Sequence, residues 1–246
     1  VHTPIEAKQE AISHFKEKPP GVIHRHAVYA AMLTSLDENI GRLLDTLRQL
    51  ELDRETIVIL TSDNGGVDFP SGKSGGAPPT SNSPWRSGKG TLYEGGIRVP
   101  LMIHWPGITQ PGSVCNEPVL SQDFYSTLAS EIGVQDADIP QNDGVNLLPL
   151  IKGEQLKLPP RALFWHYPHD YPRMTPASAV RDGNWKLIHY YEDDRVELFD
   201  LANDRSERAD LATTYPMRAK ELKQQLDQWR AVSYTHLTLP TRRGGW

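Results

Sequence analysis

The feature that most restricts this chain is a short apolar run that ends in a polar turn. Thr56-Ile57-Val58-Ile59-Leu60-Thr61 is β-branched and apolar almost throughout, and it leads directly into Ser62-Asp63-Asn64-Gly65-Gly66. A run with no polar alternation suits a strand covered on both faces, as in a parallel sheet. The glycines then allow a sharp turn at its end. A long amphipathic segment precedes it. Tyr29, Met32, Leu33, Leu36, Ile40, Leu43, Leu44, Leu47 and Leu50 recur at three- and four-residue steps, which places one apolar stripe along a helix. Helix, strand and polar glycine turn in that order point to an open α/β sheet. Ligands of such sheets gather beyond the carboxyl ends of the strands, where Asp63 and Asn64 would stand.

The rest of the chain divides in two. A short helix is expected over residues 5–15, and a long Gly/Ser/Pro-rich loop over 65–90. A second strand is expected over 99–105. A helix over 122–132 would be capped by Ser121 and stopped by Gly133. After Lys152 the pattern changes to short strand-like pieces at 162–166, 177–181, 185–191 and 196–199, with the hairpin signal Asp182-Gly183 between two of them. A polar helix at 217–232 follows. The expected division is therefore 1–152 for the α/β part and 153–232 for a small antiparallel sheet with one helix. Residues 233–246 continue neither pattern and read as a non-native tail resembling translated sequencing adaptor.

Composition removes several classes of function. A net charge of −5 leaves no basic excess to grip nucleic acid or an anionic membrane. No apolar run approaches the roughly 18–20 residues of a membrane span. The single cysteine, Cys115, excludes an intrachain disulfide and a cysteine-built zinc site. It is expected to be a buried spectator thiol. The opening Val1-His2-Thr3-Pro4 reads like mid-domain sequence, as in a fragment.

Asp63-Asn64 offers a carboxylate and an amide oxygen, the hard donors that calcium or magnesium takes, although Asp-Asn-Gly is also ordinary turn chemistry. In Ser87-Gly88-Lys89-Gly90-Thr91 a lysine sits between two glycines, so backbone and ammonium can both approach a phosphate or sulfate. It is not a nucleotide P-loop, because Ser83 and Gly90 stand where that motif needs glycine and a hydroxyl residue. His24 and His26 form one histidine pair. His166 and His169, in Trp165-His166-Tyr167-Pro168-His169-Asp170, form another with tolerable zinc spacing but no further ligand set. A place in a substrate pocket is the other reading for that second pair.

Together these motifs carry more than each does alone. Thr61-Ser62-Asp63-Asn64-Gly65-Gly66 followed by Ser87-Gly88-Lys89-Gly90-Thr91-Leu92-Tyr93-Glu94-Gly95-Gly96-Ile97-Arg98-Val99-Pro100 closely resembles the second half of the type I sulfatases. Tyr29-Ala30-Ala31-Met32, Leu36-Asp37, Trp105-Pro106-Gly107, Asp143-Gly144-Val145-Asn146-Leu147-Leu148-Pro149-Leu150 and Asp182-Gly183-Asn184-Trp185-Lys186-Leu187-Ile188 agree in order, so the likeness spans about residues 1–231. The resemblance implies an alkaline-phosphatase-like open sheet with helices on both faces, lacking its N-terminal part. Beyond it would lie a small C-terminal α+β subdomain with a four-stranded antiparallel sheet.

It also implies a chemistry. Calcium, in preference to magnesium, would be held by Asp63, Asn64 and two earlier aspartates. Lys89 would bind the sulfate, and His2 would contact sulfate and leaving group. The family's nucleophile is a formylglycine made within Cys/Ser-x-Pro/Ala-x-Arg. This sequence has no such motif, since Cys115 is followed by Asn116-Glu117-Pro118. The chain alone is therefore expected to be inactive, as part of a hydrolase of aryl or, preferentially, carbohydrate sulfates. Trp165, His166, Tyr167, His169, Tyr171 and Arg173 form an aromatic and basic cluster suited to a sugar ring bearing an anion. The expected partner is thus a sulfated small molecule or glycan, in the periplasm or outside the cell. The alternatives are a phosphodiesterase or phosphonate monoester hydrolase of the same superfamily, and a catalytically dead glycan-binding relative.

Overall fold

The computed structural model describes residues 1–70, 77–134 and 142–232. The N-terminal half holds α1 (Gln9–Glu17), α2 (Ala27–Gln49), β1 (Val58–Thr61), α3 (Glu94–Ile97), β2 (Leu101–His104), α4 (Asp123–Glu131) and α5 (Leu148–Ile151). The second half is β3 (Ala162–Tyr167), β4 (Ala177–Asp182), β5 (Trp185–Tyr190), β6 (Val196–Asp200) and α6 (Pro216–Val232). The expected tail at 233–246 lies outside the described residues, as does part of the expected 65–90 loop.

α2 begins at His26, whose Nδ1 accepts a hydrogen bond from the Tyr29 backbone N–H, and it packs against α1. Its stripe forms as expected but is largely uncovered. Only Ala31 is buried, while Leu33, Leu36, Leu43 and Leu50 are exposed. β1 pairs with β2 in antiparallel register, Val58 opposite His104 and Thr61 opposite Leu101. The expected parallel neighbour is thus replaced, among the described residues, by an antiparallel one. An apolar run is silent on the direction of its partner, and here Val58, Ile59 and Leu60 are only half-buried with Thr61 exposed. The helix over 123–131 ends before Gly133, which adopts φ +80° as a stop residue should. Its start differs from expectation. The Ser121 side chain makes no cap; the buried Asp123 carboxylate accepts the Leu120 N–H at 2.7 Å instead. Cys115 is exposed rather than buried, because residues 112–116 run along the surface.

The second half matches its pattern closely. β3 to β6 form a sequential antiparallel meander, with Asp182 opposite Trp185 across a two-residue turn whose first position is Gly183 at φ +59°. Alternation divides the side chains between two faces. Phe164, Val180, Leu187 and Leu198 meet Ala219, Leu222 and Leu226 of α6, and Trp229 stacks on Phe164. On the opposite face, Ala177, Ala179, Ile188, Tyr190 and Phe199 pack on Leu92 and Tyr93. The small sheet is thereby fixed against the segment that carries Lys89.

Candidate functional site

The site grows from the end of β1. Ser62 Oγ donates to the Asn64 carbonyl at 2.9 Å, which folds the strand end into a turn. The turn lies directly on α3: Gly65 N–H donates to Gly96 O at 2.9 Å, and a Cβ at Gly65 would stand 1.7 Å from Gly95 O. Only glycine allows two backbones this close. The lysine loop joins the same turn, since Lys89 N–H donates to Gly66 O at 3.1 Å. Asn82 ties them further by accepting from Gly66 N–H and donating to the carbonyls of Gly66 and Ser87.

Lys89 and His2, 87 positions apart, meet here with Nζ 2.7 Å from Nε2. An ammonium only donates, so Nε2 accepts. His2 Nδ1 lies 3.1 Å from the Thr3 carbonyl, which selects the tautomer with the proton on Nδ1. Asp63 is exposed and Asn64 half-buried on the adjoining turn. Neither side chain has a hydrogen-bond or ion-pair partner among the described residues. Two neighbouring hard oxygen donors with no internal partner suit a calcium ion, of whose roughly 6–8 oxygen ligands they would supply two. No group of three or more histidine, cysteine or carboxylate side chains among the described residues completes such a set.

The rim comes from the segment after β3. Gly90, at φ +78°, lies under the Tyr171 ring, 2.1 Å from where its Cβ would be, and Phe69 meets Tyr171 edge-on. Arg173 reaches Asp68 at 3.5 Å. Arg173 therefore borders the lysine loop. His169 is exposed and meets Tyr167 edge-on, beyond this cluster.

His166 is not brought to the site. It shares the α6 face of the sheet with Phe164, opposite the face of Trp165 and Tyr167, and its Nδ1 lies 2.7 Å from Ser178 Oγ and 3.2 Å from Tyr191 Oη. Burial, followed by the positive charges of Arg230 and His169, holds its pKa below the ordinary 6.5. Between that depressed value and 6.5 the unfolded chain binds the proton more readily, so stability falls as pH drops through this window. His166→Gln is expected to flatten that loss, as read from urea midpoints at two pH values on either side of the window. An unchanged pH dependence would refute the assignment.

Sequence reasoning missed Asn82, and it missed a buried charge cluster behind α3. Lys186 of β5 contacts Glu94 Oε1 at 3.0 Å and Glu207 Oε1 at 2.8 Å. Burial raises the Glu94 pKa, but Lys186, Arg181 and Arg98 outweigh it and hold the group low. For Glu207 burial prevails over Lys186, and the pKa is raised. The signal in sequence was Lys186 within the mostly apolar strand Trp185–Tyr190.

Comparison with known proteins places the chain in a family. The sulfatase family profile matches residues 1–134, and the profile described as N-sulphoglucosamine sulphohydrolase, C-terminal, matches 86–232. A sulfatase of Formosa agariphila is 34% identical over 235 residues, covering 88% of this chain and 41% of that protein. Mouse steryl-sulfatase is 32% identical, covering 87% and 38%. The crystal structure of Ps i-CgsB with k-i-k-neocarrahexaose superposes with a TM-score of 0.74 at 27% identity, over 93% of this chain and 47% of that one. A structure bound to its substrate D-glucosamine-2-N,6-O-disulfate superposes at 0.63 with 28% identity, over 89% and 42%. The chain thus spans less than half the length of each of these relatives. Its α/β fold is the alkaline-phosphatase-like fold of these neighbours, and the chain belongs to the sulfatase family.

Proposed function

We propose that this chain is the C-terminal portion of a calcium-dependent sulfuric ester hydrolase acting on a carbohydrate sulfate. The observation that carries this reading is the contact of Lys89 with His2 beside the Asp63-Asn64 turn. A sulfate monoester resists hydrolysis because its negative oxygens repel a nucleophile and its alkoxide leaves poorly. The Lys89 ammonium neutralises the equatorial oxygens as charge develops on them. With the sulfate placed between the two side chains, a proton on His2 Nε2 would pass to the departing oxygen. Asp63 and Asn64 would hold the calcium ion, which supplies further electrostatic stabilisation of the sulfate when bound. The nucleophile, formylglycine by analogy with the family, would come from a segment preceding Val1. Arg173 and Tyr171 would face the sugar.

Two supports favour a carbohydrate substrate: the aromatic and cationic rim, and the sugar ligands of two structural neighbours above 25% identity. We assign the setting as periplasmic or extracellular, where polymeric glycans are met. Among the described residues no helix is long and apolar enough to cross a membrane.

The test is an assay of the parent enzyme against a 6-O-sulfated amino sugar, 4-nitrophenyl sulfate, 4-nitrophenyl phosphate and a phenylphosphonate ester. Sulfate release is expected to dominate, to stop with a calcium chelator and to return with added calcium. Faster cleavage of the phosphorus esters would point to the phosphohydrolase alternative, and binding of the sugar with no turnover to the dead relative.

A further inference from the structure

Lys186 has no exposed surface, and it makes its two ion pairs with carboxylates that are almost or fully buried. Burying ions costs several kcal/mol each, and apolar side chains of the same volume often stabilise as well. The geometry shows what this arrangement holds instead. Glu207 Oε2 accepts the backbone N–H of Glu94 at 2.7 Å, and the Glu207 carbonyl accepts from Arg86 at 2.8 Å. Glu207 itself sits at φ +52°, a conformation that a non-glycine residue keeps only when its surroundings impose it. Both the side chain and the backbone of Glu94, the first residue of α3, are therefore gripped from the small sheet and the loop that follows it.

α3 passes that grip on. Gly95 N–H donates to Arg86 O at 2.9 Å, and Gly96 O accepts from Gly65. A Cβ at Gly96 would lie 2.6 Å from Gly88 O. A shift of α3 must therefore move the metal-donor turn and the lysine loop with it.

We propose that Lys186 is a positioning residue of the sulfate site: by holding Glu94 and Glu207 it clamps α3 and sets the spacing between the Asp63-Asn64 turn and Lys89. The label "sulfate site" rests on the function proposed above, whereas the mechanical coupling does not. The C-terminal subdomain thereby takes part in shaping the site through its interior as well as through the Tyr171–Arg173 rim.

The experiment compares amide hydrogen exchange in the 246-residue chain and its Lys186→Met variant. The amides of Gly65, Lys89 and Gly95 report the site, and those of the β3–β4 ladder and α6 report the sheet. Lys186→Met is expected to speed exchange at the three site amides by about tenfold or more, leaving the sheet within about twofold. Site amides that exchange at the wild-type rate, or a uniform rise across site and sheet, would overturn the proposal. Should Lys186→Met fail to fold, Glu207→Gln decides: a several-fold rise at the same three amides supports the clamp, and no change refutes it. A parallel titration with sodium sulfate, followed through the His2 and Lys89 resonances, separates the two claims. A wild-type chain indifferent to sulfate defeats the sulfate reading, while the exchange pattern still decides the clamp. If wild type binds sulfate, Lys186→Met should weaken binding by about tenfold, and equal affinity would count against positioning.

Discussion

Replacing Lys89 by methionine is expected, on the function proposed above, to lower kcat/KM of the parent enzyme for a sulfate ester by about 10²–10³-fold, the usual cost of removing one preorganised electrostatic contact from developing transition-state charge. Methionine keeps most of the side-chain volume and removes only the charge. The loop should stay in place, because the Lys89 backbone N–H is bonded to Gly66 O whatever the side chain. Stability should therefore change by less than about 0.5 kcal/mol. Steady-state kinetics and a thermal melt on the same preparation separate the two effects. A loss below about tenfold, or one matched by unfolding, would remove Lys89 from the catalytic role.

The second large effect falls on stability. Asp123 is fully buried and accepts four hydrogen bonds: from Leu120 and Val145 backbone N–H, and a two-pronged pair from Arg161 at 2.7 and 2.5 Å. Asp123→Ala leaves a largely buried guanidinium and two amides without partners, which is expected to cost about 3–5 kcal/mol. Asp123→Asn, which retains two acceptor lone pairs, should cost less. Urea denaturation measures both. A change under about 1 kcal/mol for the alanine variant would show that water or a rearranged loop replaces the carboxylate. Because the partners of the Asp123 carboxylate among the described residues are Leu120, Val145 and Arg161 and none belongs to the lysine loop, turnover per folded molecule should be unaffected.

The elements most legible in sequence were those whose side chains repeat. Leu33, Leu36, Leu43 and Leu47 announce α2, and β3 to β6 are bracketed by proline, glycine and aspartate, so their limits are met within a residue or so. The motif residues Lys89, Asp63 and Asn64 were singled out by neighbouring glycines, and the fold does bring their two loops together. His2 was legible only through resemblance, since nothing local to Val1-His2-Thr3 marks it.

What escaped was set by tertiary contact. α3 contains Glu94-Gly95-Gly96, and two glycines argue against a helix by propensity. It forms because Glu207 and Lys186 hold its first residue. The side of the sheet that carries His166 was not legible either. Phe164 and Trp165 are both apolar, so alternation along β3 gave no indication of which neighbour shared its side. The direction of the strand beside β1, and the exposure of Cys115, likewise depend on partners that a local window does not contain.

The glycine contact between the β1 turn and α3 has an evolutionary consequence. A chain in which the floor of the proposed sulfate site is two backbones in contact has no side chains there to vary, so selection for a new substrate cannot act at Gly65 or Gly95 without dismantling the floor. Diversification is confined to the border, where the side chains of Asp68, Tyr171 and Arg173 meet on the surrounding loops, Tyr171 resting on Gly90. A laboratory library aimed at a different sulfated sugar should accordingly spend its diversity on those positions and leave the glycines untouched.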